Sequence, residues 1–229
     1  MTMRLVNMMT ALMVAMVFVT AAQAADKKLT GEREKFSYAI GVQIGDSLRR
    51  DSMDVDGAII GQAISDVLSQ SPLKLTPEQM QAVFNDYQQK KAKEMQAVAN
   101  ENLAKGKAYM ASFSKQKGVK ALDNGLYYKV LTKGSGKKPA ADDTVVVNYR
   151  GTLVDGTEFD SSYKRGQPAT FAVNAVIQGW QEILPMMPMG SKWQVVIPSE
   201  LAYGPQGSGG GVIGPNATLV FDIELLEIK

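Results

Sequence analysis

The side chains able to do chemistry in this chain are few in kind. It has no histidine and no cysteine. That excludes Ser-His-Asp and Cys-His nucleophilic catalysis, thiolate metal sites and disulfides. What remains are carboxylates, hydroxyls, lysines and any apolar pocket the chain can fold. Aromatic residues occur in five separate segments: Tyr149, Phe159 next to Asp160, Trp180, Tyr203 and Phe221. A pocket walled by such rings needs no nucleophile, metal or general base. Aromatics on alternating strand positions also serve as ordinary core, and Asp160 could cap a turn. Spacing alone leaves both readings open.

The elements that must position these residues follow from periodicity. Leu126, Tyr128 and Val130 alternate with polar neighbours. So do Val145, Val147 and Tyr149, then Trp193, Val195 and Ile197, then Leu219, Phe221, Ile223 and Leu225. Alternation of this kind marks half-buried antiparallel strands. Asp155-Gly156 is a hairpin turn. One short helix, about Gly179 to Leu184, is closed by Pro185. Gly134 to Lys138 and Ser208 to Gly211 read as loops.

The first 120 residues are helical in grammar. Phe36, Ile40, Ile44 and Leu48 form a stripe four apart, with Gly41 and Gly45 beside it. Asp56 to Ser69 repeats the theme with Gly57 and Gly61. Glycine inside a helix costs up to about 1 kcal/mol against alanine. Close approach by another helix would offset that cost. Neither segment carries enough apolar surface for a domain of its own, and dimerisation would supply the missing core. Thr76-Pro77-Glu78-Gln79 signals a helix start, and Gly118 a stop. Between them Gln88 to Glu94 is nearly all polar. This predicts an exposed stalk helix or, alternatively, a hairpin folded back near Asn100 to Gly106.

Arg4, the apolar run Leu5 to Thr20 and Ala22-Gln23-Ala24 match a cleaved export signal. An uncleaved anchor is the alternative, although the run is short for a span of roughly 20 residues. The mature chain, from Ala25, is expected to have no membrane span. Export of a cysteine-free chain suits a Gram-negative periplasm or the outer-membrane surface. The charge balance, 25 basic against 23 acidic side chains, gives no reason to expect nucleic acid.

Five motifs in order are specific. They are Val147-Asn148-Tyr149-Arg150-Gly151, Asp155 to Ser162 (DGTEFDSS), Val176-Ile177-Gln178-Gly179-Trp180, Ala202-Tyr203-Gly204, and Ala217 to Leu225 (ATLVFDIEL). Together they resemble the FKBP-type prolyl isomerases over roughly residues 120 to 229. The helical region before them, with its FSYAIGVQIG segment, is similar in layout to the Mip-like bacterial subfamily. The resemblance implies an α+β protein. It would have a signal peptide (1–24), an all-α dimerisation domain (25–75) and a long connecting helix (76–118). An antiparallel half-barrel wrapped on one short helix (119–229) would follow.

The resemblance also implies a peptidyl-prolyl cis-trans isomerase with chaperone activity. Its site would contain Tyr149, Phe159, Asp160, Trp180, Tyr203 and Phe221, with Val176, Ile177, Arg165 and Ile213 completing the substrate pocket. Partners would be unfolded or proline-containing polypeptides, FKBP-class macrolides and a second copy of the chain. No cofactor or metal is expected. Compact family members carry an aromatic residue just after the proline equivalent to Pro168. Here Ala169 stands there and Phe171 follows two residues on, so one wall is expected to be shorter. Two other functions remain open: a non-catalytic holdase, or a surface adhesion and virulence protein.

The chemistry fits such a pocket. Resonance gives peptide-bond rotation a barrier of about 18–20 kcal/mol, and X-Pro bonds exchange over tens to hundreds of seconds. The planar ground state is the more polar one and is stabilised by water. A dry aromatic hollow that holds the twisted imide therefore lowers the barrier.

Overall fold

The computed structural model describes residues 28–208 and 211–229. The export signal expected at 1–24 lies outside them. The chain divides into two compact units, Met1–Thr76 and Pro77–Lys229.

In the first unit α1 spans Glu32–Arg50 and α2 Gly57–Leu68. The Glu34 carboxylate accepts the Thr30 and Gly31 N–H groups at the start of α1, at 3.2 and 3.3 Å. Asp56 caps α2 through the N–H groups of Ala58 and Ile59. Both helices are well begun, yet neither buries a single residue. Phe36 is 69% exposed and Leu68 80%. Around Gly41, Gly45, Gly57 and Gly61 the space a side chain would fill is empty.

In the second unit α3 runs unbroken from Pro77 to Phe113, a length of about 55 Å at 1.5 Å per residue. It passes straight through Asn100 to Gly106 as one helix. It ends five residues before Gly118, the expected stop. Phe113, 1% exposed, is anchored in a cluster with Val196 and Val220, and the chain must then turn back to enter the sheet. Gly118, at φ 87°, makes that turn.

The sheet is fully antiparallel. Its seven strands are β1 (Val119–Ala121), β2 (Tyr127–Thr132), β3 (Thr144–Leu153), β4 (Glu158–Ser161), β5 (Ala169–Ala172), β6 (Lys192–Ile197) and β7 (Leu219–Ile228). They are ordered β1-β2-β6-β7-β3-β4, with β5 also paired to β3. A one-turn helix α4 (Ser162–Arg165) follows β4, and α5 (Gln178–Ile183) precedes β6. The expected alternation holds on the inner face. Val145, Val147, Tyr149, Val195, Ile197, Leu219, Phe221 and Ile223 are buried there against Trp180, Ile183 and Leu184. Gly179 lets α5 lie on the sheet, since a Cβ there would come within 2.8 Å of Ile197 Cδ1. The outer face is covered where α3 lies on it. Val196 and Val220, outward by alternation, are buried with Phe113, Tyr109 and Met110.

Candidate active site

The inner face opens into a cavity of about 380 Å³, within the 300–1,000 Å³ usual for small-ligand sites. Tyr149, Phe159, Asp160, Val176, Ile177, Trp180, Tyr203 and Phe221 line it, together with Phe171 and Ala175.

Each lining residue has a local reason for its place. Tyr149 is an inward residue of β3, opposite Ile223 on β7. Phe221 is the matching inward residue of β7, opposite Gly151. Gly151 has no side chain for a packing reason. A Cβ there would stand 2.6 Å from the Phe159 ring and 2.8 Å from Phe221 Cε1. Trp180 projects from α5 and is the hub of the rings. Its centroid lies 5.3 Å from Tyr149, 5.7 Å from Phe171 and 5.3 Å from Phe221, all edge-to-face. Phe159 meets Phe221 at 5.6 Å in the same manner. Such pairs contribute about 0.5–1.5 kcal/mol each beyond area burial, so the walls hold one another in place.

The shorter wall was expected from Ala169, standing where compact relatives carry an aromatic residue. Phe171, two residues on, lines the cavity and meets Tyr149 at 5.8 Å and Trp180 at 5.7 Å. The reason is register: Phe171 pairs with Val145 and Ala169 with Val147, so both β5 residues face inward. The Ala169/Phe171 alternation carried this signal. Ile213 is not among the lining residues; it is 5% exposed within the core. Arg165 stands behind the wall, beside Asp160.

The polar side is one connected network. The Tyr149 hydroxyl donates to Asp160 Oδ2, Arg165 Nη1 donates to Asp160 Oδ1, and Arg165 Nη2 donates to the Tyr149 oxygen at 2.9 Å. The Ser161 N–H adds a 2.8 Å bond to Asp160 Oδ1. The two serines after Asp160 are structural. Ser161 Oγ caps α4 by accepting from Lys164 N–H, which aims Arg165. Buried Ser162 accepts the Tyr149 N–H at 2.9 Å. Burial pushes the Asp160 carboxyl up. The bonds from Tyr149 and Arg165, the guanidinium charge and the Ser161 amide together outweigh it and hold the carboxyl below its ordinary value. Burial, reinforced by the bond to Asp160, raises Tyr149.

Tyr203 is 41% exposed at the rim. Its hydroxyl makes no hydrogen bond within the described residues, so it is available to a ligand. Among those residues no group of His, Cys, Asp or Glu could hold a metal. Chemically the site can grip an apolar ring, exclude water and offer a hydrogen bond at its edge. Its one carboxylate is fully engaged.

Comparison with known proteins gives the same reading. Residues 135–226 match the family model described as FKBP-type peptidyl-prolyl cis-trans isomerase. Residues 33–130 match the domain amino terminal to it. The chain is 43% identical over 228 residues to "Outer membrane protein MIP" of Legionella longbeachae, covering 97% of each. It is 40% identical to "Peptidyl-prolyl cis-trans isomerase Mip" of Coxiella burnetii, covering 95% of this chain and 96% of that one. The crystal structure of FkpA from Escherichia coli superposes with a TM-score of 0.62 at 38% identity, over 88% of this chain and 99% of that one. An aromatic hollow with these motifs, this fold and these relatives places the chain in the family of FKBP-type peptidyl-prolyl cis-trans isomerases.

Proposed function

We propose that this isomerase turns X-Pro bonds in the cavity over Trp180, by desolvation and by fit to the twisted imide. The observation that carries the reading is the convergence of Tyr149, Phe159, Phe171, Trp180 and Phe221 on one hollow. The proline ring lies over Trp180 between Phe159 and Phe221. Tyr203 donates to a substrate carbonyl from the rim. Asp160, held as an anion by Tyr149 and Arg165, fixes the wall and faces the positive carbon of the twisted amide. No covalent bond forms. Leaving water strips the planar amide of its solvation, while the twisted state, with its charge drawn off the carbonyl oxygen, loses less. An FKBP-class macrolide would compete for the same hollow, with Phe171 as the wall it meets in place of a ring at Ala169.

A proline-tetrapeptide isomerisation assay tests this. Tyr203→Phe should raise KM about two- to tenfold through one lost hydrogen bond. Asp160→Leu should lower kcat/KM at least about tenfold by breaking the network. Unchanged kinetics in both variants would remove the site from this cavity.

The domain division proposed is a helical dimerisation region at 25–75, the long helix at 76–118 and the isomerase domain at 119–229. The support for dimerisation is the unburied apolar side chains of α1 and α2 and the open space around their glycines. Two isomerase sites on one dimer give avidity for unfolded chains, which supports a chaperone role beside catalysis. The export-type leader, together with a relative named as an outer membrane protein, favours the periplasm or outer-membrane surface.

A further inference from the structure

The seam between α3 and the segment before β7 carries a connection to the site that the isomerase mechanism does not use. Val98, Asn102 and Gly106 are four apart on one face of α3. A Cβ added to Gly214 would lie 3.1 Å from Asn102 Nδ2 and 3.7 Å from Val98 Cγ1. Asn102 Nδ2 donates to the Pro215 carbonyl at 2.9 Å, across 113 residues of sequence. The next residue, Asn216, donates its N–H to the Gly204 carbonyl at 2.8 Å. Gly204 directly follows Tyr203. Two hydrogen bonds thus lead from the helix to the rim phenol.

The base of this loop is conformationally demanding. Gly204 and Asn216 sit at φ 58° and 55°, in the left-handed region. Glycine adopts it freely, but at Asn216 such backbone persists where its surroundings hold it. Asn102 is partly buried and borders a void of about 40 Å³ with Lys105, Asp155 and Thr218. Its amide ties α3 to this loop through a side chain.

We propose that Asn102 is a positioning residue of the isomerase site. It holds the Pro215 carbonyl, and through the Asn216–Gly204 bond it sets where Tyr203 meets substrate. This rests on the reading of Tyr203 as a substrate contact. The aromatic walls stand on β3, β4, β5, α5 and β7 and pack against one another, so loosening the loop weakens binding and leaves the barrier inside the hollow unchanged.

The test uses the full mature chain. Asn102→Asp keeps the side-chain volume and sets an acceptor against the Pro215 carbonyl. KM for a proline tetrapeptide should rise about three- to tenfold, with kcat within about twofold. Amide exchange at Asn216 should accelerate. Asn102→Ala should move both in the same direction and serves if the aspartate variant unfolds. Lys105→Ala, on the same helix, should change neither. An Asn102 variant with unchanged KM, or with kcat lowered at constant KM, overturns the proposal. Tyr203→Phe run in parallel separates the two ideas. If Tyr203→Phe is silent while Asn102→Asp raises KM, the loop is positioned by Asn102 and the role of Tyr203 is wrong. If only Tyr203→Phe raises KM, the positioning role is wrong.

Discussion

At Asp160 three donors and a cation outweigh burial, and the sign of that balance has a measurable consequence. Its folded value lies below the ordinary carboxylate value. The stabilisation from the network is therefore complete above the unfolded carboxylate value and is lost as pH falls through the folded one. Tyr149 is raised, so its contribution is complete below the unfolded phenol value and is lost as pH rises through the folded one. Between these limits neither group changes charge. The kcat/KM profile should be flat from about pH 5 to about pH 9. A bell centred near neutrality would point to general acid–base catalysis. The gathering of Tyr149, Phe159, Asp160, Trp180, Tyr203 and Phe221 around one cavity was legible because each sits inside one of the five motifs. Phe171 was hidden by counting from Pro168, where alternation along β5 would have found it. The network around Asp160 was legible only in part. That Tyr149, Arg165 and Asp160 bond to one another depends on α4 turning Arg165 back, which Ser161 and Gly166 determine.

Four of the seven strands, β2, β3, β6 and β7, were readable from their period of two, and α5 from its proline stop; β1, β4 and β5, of three or four residues, are too short to show a period. The docking of α3 was not readable, because its apolar residues are sparse and their partners lie about a hundred residues on. The trace it leaves is at the strands: Val196 and Val220 are apolar at outward positions, and both are covered by Phe113, Tyr109 and Met110. Gly106 belongs to the same seam. A Cβ there would lie 3.0 Å from Thr218 Cβ and closer still to Oγ1. Helix propensity alone would make Gly106→Ala stabilising by about 1 kcal/mol. The contact reverses the sign, and the substitution should destabilise the second unit by about 1–3 kcal/mol. Urea unfolding measures this, and Thr218→Ala should restore part of the loss.

For the whole molecule the decisive contrast is between the two units. The second has a closed core. The first has well-capped helices that bury nothing. A second copy would resolve that contrast, and the mature chain should sediment as a dimer. In an isolated helix Gly45→Leu would be mildly stabilising, since nothing occupies the space beside Gly45. In the dimer it should shift the chain toward monomer. Turnover of a short peptide per chain should stay unchanged, while aggregation suppression falls with the lost avidity. Both the stripe and the glycines were visible in the sequence; that α1 and α2 bury none of their residues was not. Everything else depends on the imide turning in the hollow over Trp180. The most direct measurement follows cis/trans exchange of a proline tetrapeptide by NMR, with the Trp180 indole observed in the same titration. The account predicts exchange far faster than the uncatalysed tens to hundreds of seconds, with the indole signal shifting and saturating at the concentration where the rate does. Fast exchange with an unmoved Trp180 signal, or no acceleration at all, would contradict it.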